Sequence, residues 1–210
     1  VEATLQAGGV HESSRMVRDF GYALAASDMH LIAGIPSSND DEGAVRIFAW
    51  SALGSSTRIG PPPVTEGIDL RYGEAVAIFG DTAAVGAPAA LNEIGGVDVL
   101  RRAEWSWSSE QTFFDFSRWP PGTNFGAALA LGQDVLAVGA PGADVAQERG
   151  AGRVLIYTRS GSSWSEVAQL VNMNARAGAN FGAALALEGD LLVIGEPGAD
   201  FNGIREAGLV

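Results

Sequence analysis

Two stretches of this 210-residue chain nearly coincide: NFGAALALGQDVLAVGAPGAD at residues 124–144 and NFGAALALEGDLLVIGEPGAD at residues 180–200. Each divides into two short apolar segments around a polar turn, Gly132-Gln133-Asp134 in one and Gly189-Asp190 in the other. Gly and Asp at such a point are what a tight hairpin demands. The i, i+3, i+4 apolar spacing of a helix is missing. Both faces of the segments are apolar, which fits strands covered by neighbours on each side. Small residues prevail, as a crowded central axis requires.

The same frame recurs twice more. Aromatic-Gly pairs stand at Phe20-Gly21, Tyr72-Gly73, Phe125-Gly126 and Phe181-Gly182, which are 52, 53 and 56 residues apart. Fourteen residues after each aromatic comes Gly-x-Pro: Gly34-Ile35-Pro36, Gly86-Ala87-Pro88, Gly139-Ala140-Pro141 and Gly195-Glu196-Pro197. An offset held four times marks a tandem repeat. The turns between the two motifs match as well, with Ser27-Asp28 and Gly80-Asp81 in the earlier copies.

A loop after each Gly-x-Pro leads to a third strand, over 44–50, 97–103 and 153–159, with the start of another at 208–210. A Ser- and Trp-containing turn precedes a fourth strand, clearest at 107–110 and 164–166 and degenerate at 55–59. Four antiparallel strands every ~50 residues predict an all-β fold, a β-propeller of four-stranded blades. The expected layout is a single domain or fragment over 1–210. Its repeats lie at about 20–71, 72–124, 125–180 and 181–210, with residues 2–6 as an outer blade strand. One strand, three blades of four and three further strands make sixteen. The last third strand only begins, so the expectation is part of a larger propeller, with a closed four-bladed ring as the alternative.

The aromatic-Gly followed by Gly-Ala-Pro resembles the FG-GAP repeat of integrin α-subunit propellers and of many bacterial extracellular proteins. The resemblance runs from about Phe20 to Val210. It implies a propeller, usually of seven blades in the integrin relatives, acting outside the cell or at its surface in adhesion or ligand binding. Calcium-binding members carry an Asp-x-Asp-x-Asp-Gly loop between the two motifs. Here that connection shrinks to a turn with one carboxylate, Asp28, Asp81, Asp134 or Asp190. Calcium takes about six to eight oxygens, so the chain resembles the metal-free form of the repeat and no cofactor is expected.

Composition narrows the function classes. The formal net charge is −12, and all 13 basic residues are Arg. An acidic surface repels phosphate backbones, which excludes a nucleic-acid partner. There is no cysteine, hence no thiol catalysis, thiolate metal site or disulfide. No stretch reaches the ~18 apolar residues of a membrane-spanning helix. The opening residues lack the features of a signal peptide and an initiator Met, which reads as a processed product or fragment.

Candidate sites are few. His11 reads as a linker histidine and His30 as a solvated or turn histidine, so no Ser-His-Asp arrangement is expected. Asn39-Asp40-Asp41-Glu42 is the densest acidic run. It reads as a solvated turn, with Asp40, Asp41 and Glu42 the only candidates for loose cation binding. Asp200-Phe201-Asn202-Gly203 reads as a solvated turn too. Gly150-Ala151-Gly152 precedes a strand and no Lys follows, which rules out a phosphate loop. Trp107 and Trp164 recur at one repeat position, as packing residues would. Trp119 precedes Pro120-Pro121 in a non-repeating insertion and is the candidate binding aromatic. The expected function is a non-catalytic module that binds a protein or glycan through propeller-face loops. Two alternatives remain open: a structural subunit joined to further copies through blade edges, or the accessory propeller of an enzyme.

Overall fold

The computed structural model describes residues 19–37, 42–52, 55–63, 69–114 and 117–210. The expected outer strand at 2–6, His11, Asp40 and Asp41 lie outside them. Within these residues the chain is all-β. Strands β1 (Leu24–Ala26), β2 (His30–Ile35), β3 (Ala44–Ala49) and β4 (Ser56–Ile59) form one antiparallel sheet in chain order. The second sheet is β5 (Ala75–Phe79), β6 (Thr82–Gly86), β7 (Val97–Ala103) and β8 (Ser106–Phe113). The third is β9 (Ala128–Leu131), β10 (Val135–Ala140), β11 (Arg153–Ser160) and β12 (Ser163–Leu170). The fourth is described through β13 (Ala184–Glu188) and β14 (Leu191–Gly195), with Leu209 bridging Glu196 where a third strand would pair.

Each sheet is a meander, the arrangement of a propeller blade. Successive blades stack through their inner strands: β5 on β1 and β2, β9 on β5 and β6, β13 on β9 and β10. The stack is not closed into a ring among the described residues. Burial follows this order. Strands β2 and β6 are buried along their whole length, whereas β13 and β14 alternate between exposed and half-buried residues. The fourth blade has a described neighbour on one side only.

Glycine makes the joints. Inside a blade, the amide of the aromatic-Gly glycine donates to the carbonyl of the Gly-x-Pro glycine: Gly73 to Gly86, Gly126 to Gly139 and Gly182 to Gly195, at 2.9, 2.9 and 3.0 Å. Between blades, the two motifs meet face to face. A Cβ on Gly139 would collide with the carbonyl oxygen of Gly182, and one on Gly86 with that of Gly126. A third glycine opens each β3-type strand. Gly43, Gly95 and Gly152 form parallel bridges with Tyr72, Phe125 and Phe181 of the next blade. Gly152, in the stretch where a phosphate loop was ruled out, is thus a blade-joining residue.

The motif aromatics close the cores at these joints. Tyr72 packs with Val45 and Ile47 of the first blade and Ile78 of the second; Phe125 packs with Val97 and Val99 of the second and Leu136 of the third. Phe125 is 3% exposed. Phe181 and Phe20 are half-buried: Phe181 packs between the third and fourth blades, and Phe20 on Leu31, Ala33 and Phe48 of its own blade.

Candidate functional site

A cleft of about 310 Å³ opens at the joint between the second and third blades. Its apolar lining comes from Phe113 at the end of β8, Trp119 in the connection to the third blade, Tyr157 on β11 and Trp164 on β12. Its charged lining is Arg118 and Glu166. No single repeat contains this set.

Cross-blade bonds hold the cleft in shape. The β7–β8 and β11–β12 ladders both shift register, between Val99 and Leu100 and between Ile156 and Tyr157, the same place in each repeat. On β8 the extra residue is Glu110, and a bulge re-aims a side chain. Its carboxylate crosses to the third blade, where it meets Arg159 at 2.7 Å and accepts from the Trp164 indole at 3.3 Å. Gln111 next to it clasps the Trp164 backbone, donating to its carbonyl and accepting from its amide, both at 2.8 Å. Trp164 is therefore fixed and buried, and Phe113 lies against Tyr157 with ring centroids 4.4 Å apart.

The connection carrying Trp119 is tied down as well. The Gly122 amide donates to the Asn92 carbonyl and the Asn124 amide to the Glu93 carbonyl, while the buried Thr123 hydroxyl donates to Pro120. Trp119 packs on the core between the blades, with the Arg118 guanidinium 4.8 Å from its ring centroid. That guanidinium also donates to both oxygens of Glu166, at 2.6 and 2.9 Å. These bonds hold the Glu166 carboxyl below its usual value of 4.5. Its share in the ion pair is therefore in place at neutral pH and is lost only as pH falls through that lowered value.

The other candidate residues fall elsewhere. Glu42 is exposed, and its backbone carbonyl accepts from the Tyr72 amide across the first joint at 3.1 Å. Asp200 accepts from the Glu206 amide at 3.0 Å and pairs with Arg176 at 2.9 Å. Among the described residues, no three His, Asp or Glu side chains gather as metal ligands would. The expectation of a solvated His30 is corrected. Its side chain is buried at the start of β2 and edge-on to Trp107 of the next blade, with centroids 5.3 Å apart. The stacked second blade covers it. Trp107 and Trp164 both sit at blade joints, Trp107 half-buried against the first core cluster. Sequence reasoning passed over Arg118 and Glu166. The signal for Arg118 was its place beside Trp119; Glu166 gave none beyond its repeat position. The most exposed tryptophan is Trp105, at 89%, in the β7–β8 turn.

The FG-GAP repeat model matches residues 164–210, which contain the last aromatic-Gly and Gly-x-Pro pair. That segment carries an FG-GAP repeat, and the four-stranded blades fit its propeller fold. The three preceding copies share that repeat's fourteen-residue offset and its glycine joints. A search among curated proteins finds no match. No helix among the described residues is long and apolar enough to cross a membrane.

Proposed function

We propose that this FG-GAP propeller is a non-catalytic binding module, working outside the cell or at its surface, and that its ligand engages the cleft beside Trp119. The observation that carries the reading is the convergence of four aromatic side chains and one ion pair in a concave, cross-braced joint. Sites of this kind are concave, mostly apolar and largely pre-formed, with a few placed polar groups. The FG-GAP repeat itself points to a propeller-type binding fold, and adhesion is the role its integrin relatives suggest.

The immobilised chain is to be screened against soluble extracellular proteins and glycans, with Trp119→Ala alongside. Binding that is lost in the variant supports the reading. Ligands indifferent to the substitution, or turnover of a substrate by the purified chain, contradict it.

A further inference from the structure

We infer that the cleft between the second and third blades takes a neutral sugar ring, stacked on its aromatic wall and hydrogen-bonded to the Arg118–Glu166 pair. The inference rests on the cleft being the binding site and adds the class of ligand.

Charge selects the class first. The Arg118 guanidinium is already held by both oxygens of Glu166 and lies over Trp119. A carboxylate or phosphate entering the cleft would meet the Glu166 carboxylate beside Arg118, on a chain of net charge −12, and like charges repel. A cationic ligand would meet the Arg118 guanidinium, whose charge repels it. A neutral hydroxyl faces neither repulsion. It can donate to the carboxylate while the ion pair stays intact, and a hydrogen bond to a charged group is about twice as strong as a neutral one. Thr112 also lines the cleft.

Shape selects next. A sugar ring has an apolar C–H face and a polar rim, and the cleft presents the same division. The half-buried Phe113 and Trp119 supply its open apolar edge, with the buried Tyr157 and Trp164 rings behind them, and the charged pair stands beside them. A volume of about 310 Å³ is at the low end for ligand sites and has room for one sugar ring. The floor is already ordered by the Gln111, Glu110 and Arg159 contacts to Trp164. Little side-chain entropy remains to be lost on binding.

The test is ligand-observed saturation-transfer NMR with titration calorimetry on the whole chain. The probes are methyl glycosides of neutral hexoses and N-acetylhexosamines, beside a hexuronic acid, a protonated hexosamine and a tryptophan-containing tripeptide. The expected result is saturation of the neutral glycosides alone, lost in Trp119→Ala and retained in Trp119→Phe. Glu166→Gln, which keeps the shape of the side chain, should weaken binding by about tenfold, and Trp105→Ala should leave it unchanged. Neutral glycosides that stay silent, or that bind Trp119→Ala and Glu166→Gln as well as the wild type, overturn the inference. If only the uronic acid, the amino sugar or the tripeptide binds and Trp119→Ala abolishes it, the sugar class fails and the cleft stands. If every binding probe ignores both substitutions, the cleft fails with it.

Discussion

At Phe125 the repeat and the packing meet in one side chain. The ring is buried between two blades, so Phe125→Ala should cost about 3–5 kcal/mol, read as a lower midpoint in denaturant; an unchanged midpoint would contradict the packing. Tyr72, at the same repeat position, shows where residue-level reading stops. Its hydroxyl donates to the Asp98 carboxylate at 2.8 Å, and the Ser109 hydroxyl donates to the other oxygen at 2.6 Å. Three residues after Gly152, the place equivalent to Asp98 after Gly95 is Leu155, which shares a core with Phe125. Tyr with Asp and Phe with Leu are matched solutions to one packing problem. Nothing in the sequence singles out Asp98 between Val97 and Val99, and only the packed structure shows it buried. Burial raises the Asp98 pKa above 3.8, against the two hydroxyl bonds that lower it. A raised folded value means that the protonated form's stabilisation is complete below 3.8 and is lost as pH rises through the folded value. Asp98→Asn removes that loss and lets both hydroxyls rotate to suit the amide. It should equal or exceed the wild type at pH 7 and show no advantage below pH 3.8 in thermal unfolding. Asp98→Ala strands the hydroxyls and should cost about 1–3 kcal/mol.

At the scale of elements, the strands were legible because their turns are punctuated by Gly and Asp and their apolar runs are short. The third strands were expected at 44–50, 97–103 and 153–159 and are found at Ala44–Ala49, Val97–Ala103 and Arg153–Ser160. The bulges were not legible: each breaks the two-residue alternation at a single point, and the mixed, mostly polar outer strands carry too little alternation for the break to show. Nor was the third glycine of each joint. Gly43 and Gly95 follow the Gly-x-Pro glycine by nine residues but Gly152 by thirteen, so variable loop length hides the register. The joint gives a sharp contrast between glycines. A Cβ on Gly139 meets backbone of the next blade, which cannot rotate away, whereas Gly161 in the β11–β12 turn has open space. Gly139→Ala should cost at least about 3 kcal/mol. Gly161→Ala, with only its φ of +65° to strain it, should cost about 1 kcal/mol. Equal losses in calorimetry would show that the Gly-x-Pro glycine is not a contact point between blades.

At the scale of the molecule, four tandem repeats were enough to read blades, and the cleft was not readable at all. Its walls come from residues about one repeat apart, Phe113 and Trp119 against Tyr157 and Trp164. Only stacking brings them together, and of the set Trp119 alone stood out, as an aromatic in an insertion. The whole-molecule expectation about metal follows from turn length. Each hairpin between the two motifs offers a single Asp, and a short turn cannot wrap an ion that takes about six to eight oxygens. The melting temperature should therefore be the same in excess chelator and in millimolar calcium, and a shift of more than a few degrees would refute this. The central claim is that aromatic-Gly and Gly-x-Pro glycines bind successive blades into one stack. Native-state hydrogen exchange tests it most directly, followed at the Tyr72, Phe125 and Phe181 amides, which donate across the joints to Glu42, Ile94 and Ala151. The account predicts that these three exchange as slowly as the amides inside β6 and β10, through opening of the whole stack. Fast exchange at the joints beside slow exchange within each blade would contradict it, because the blades would then be separate units.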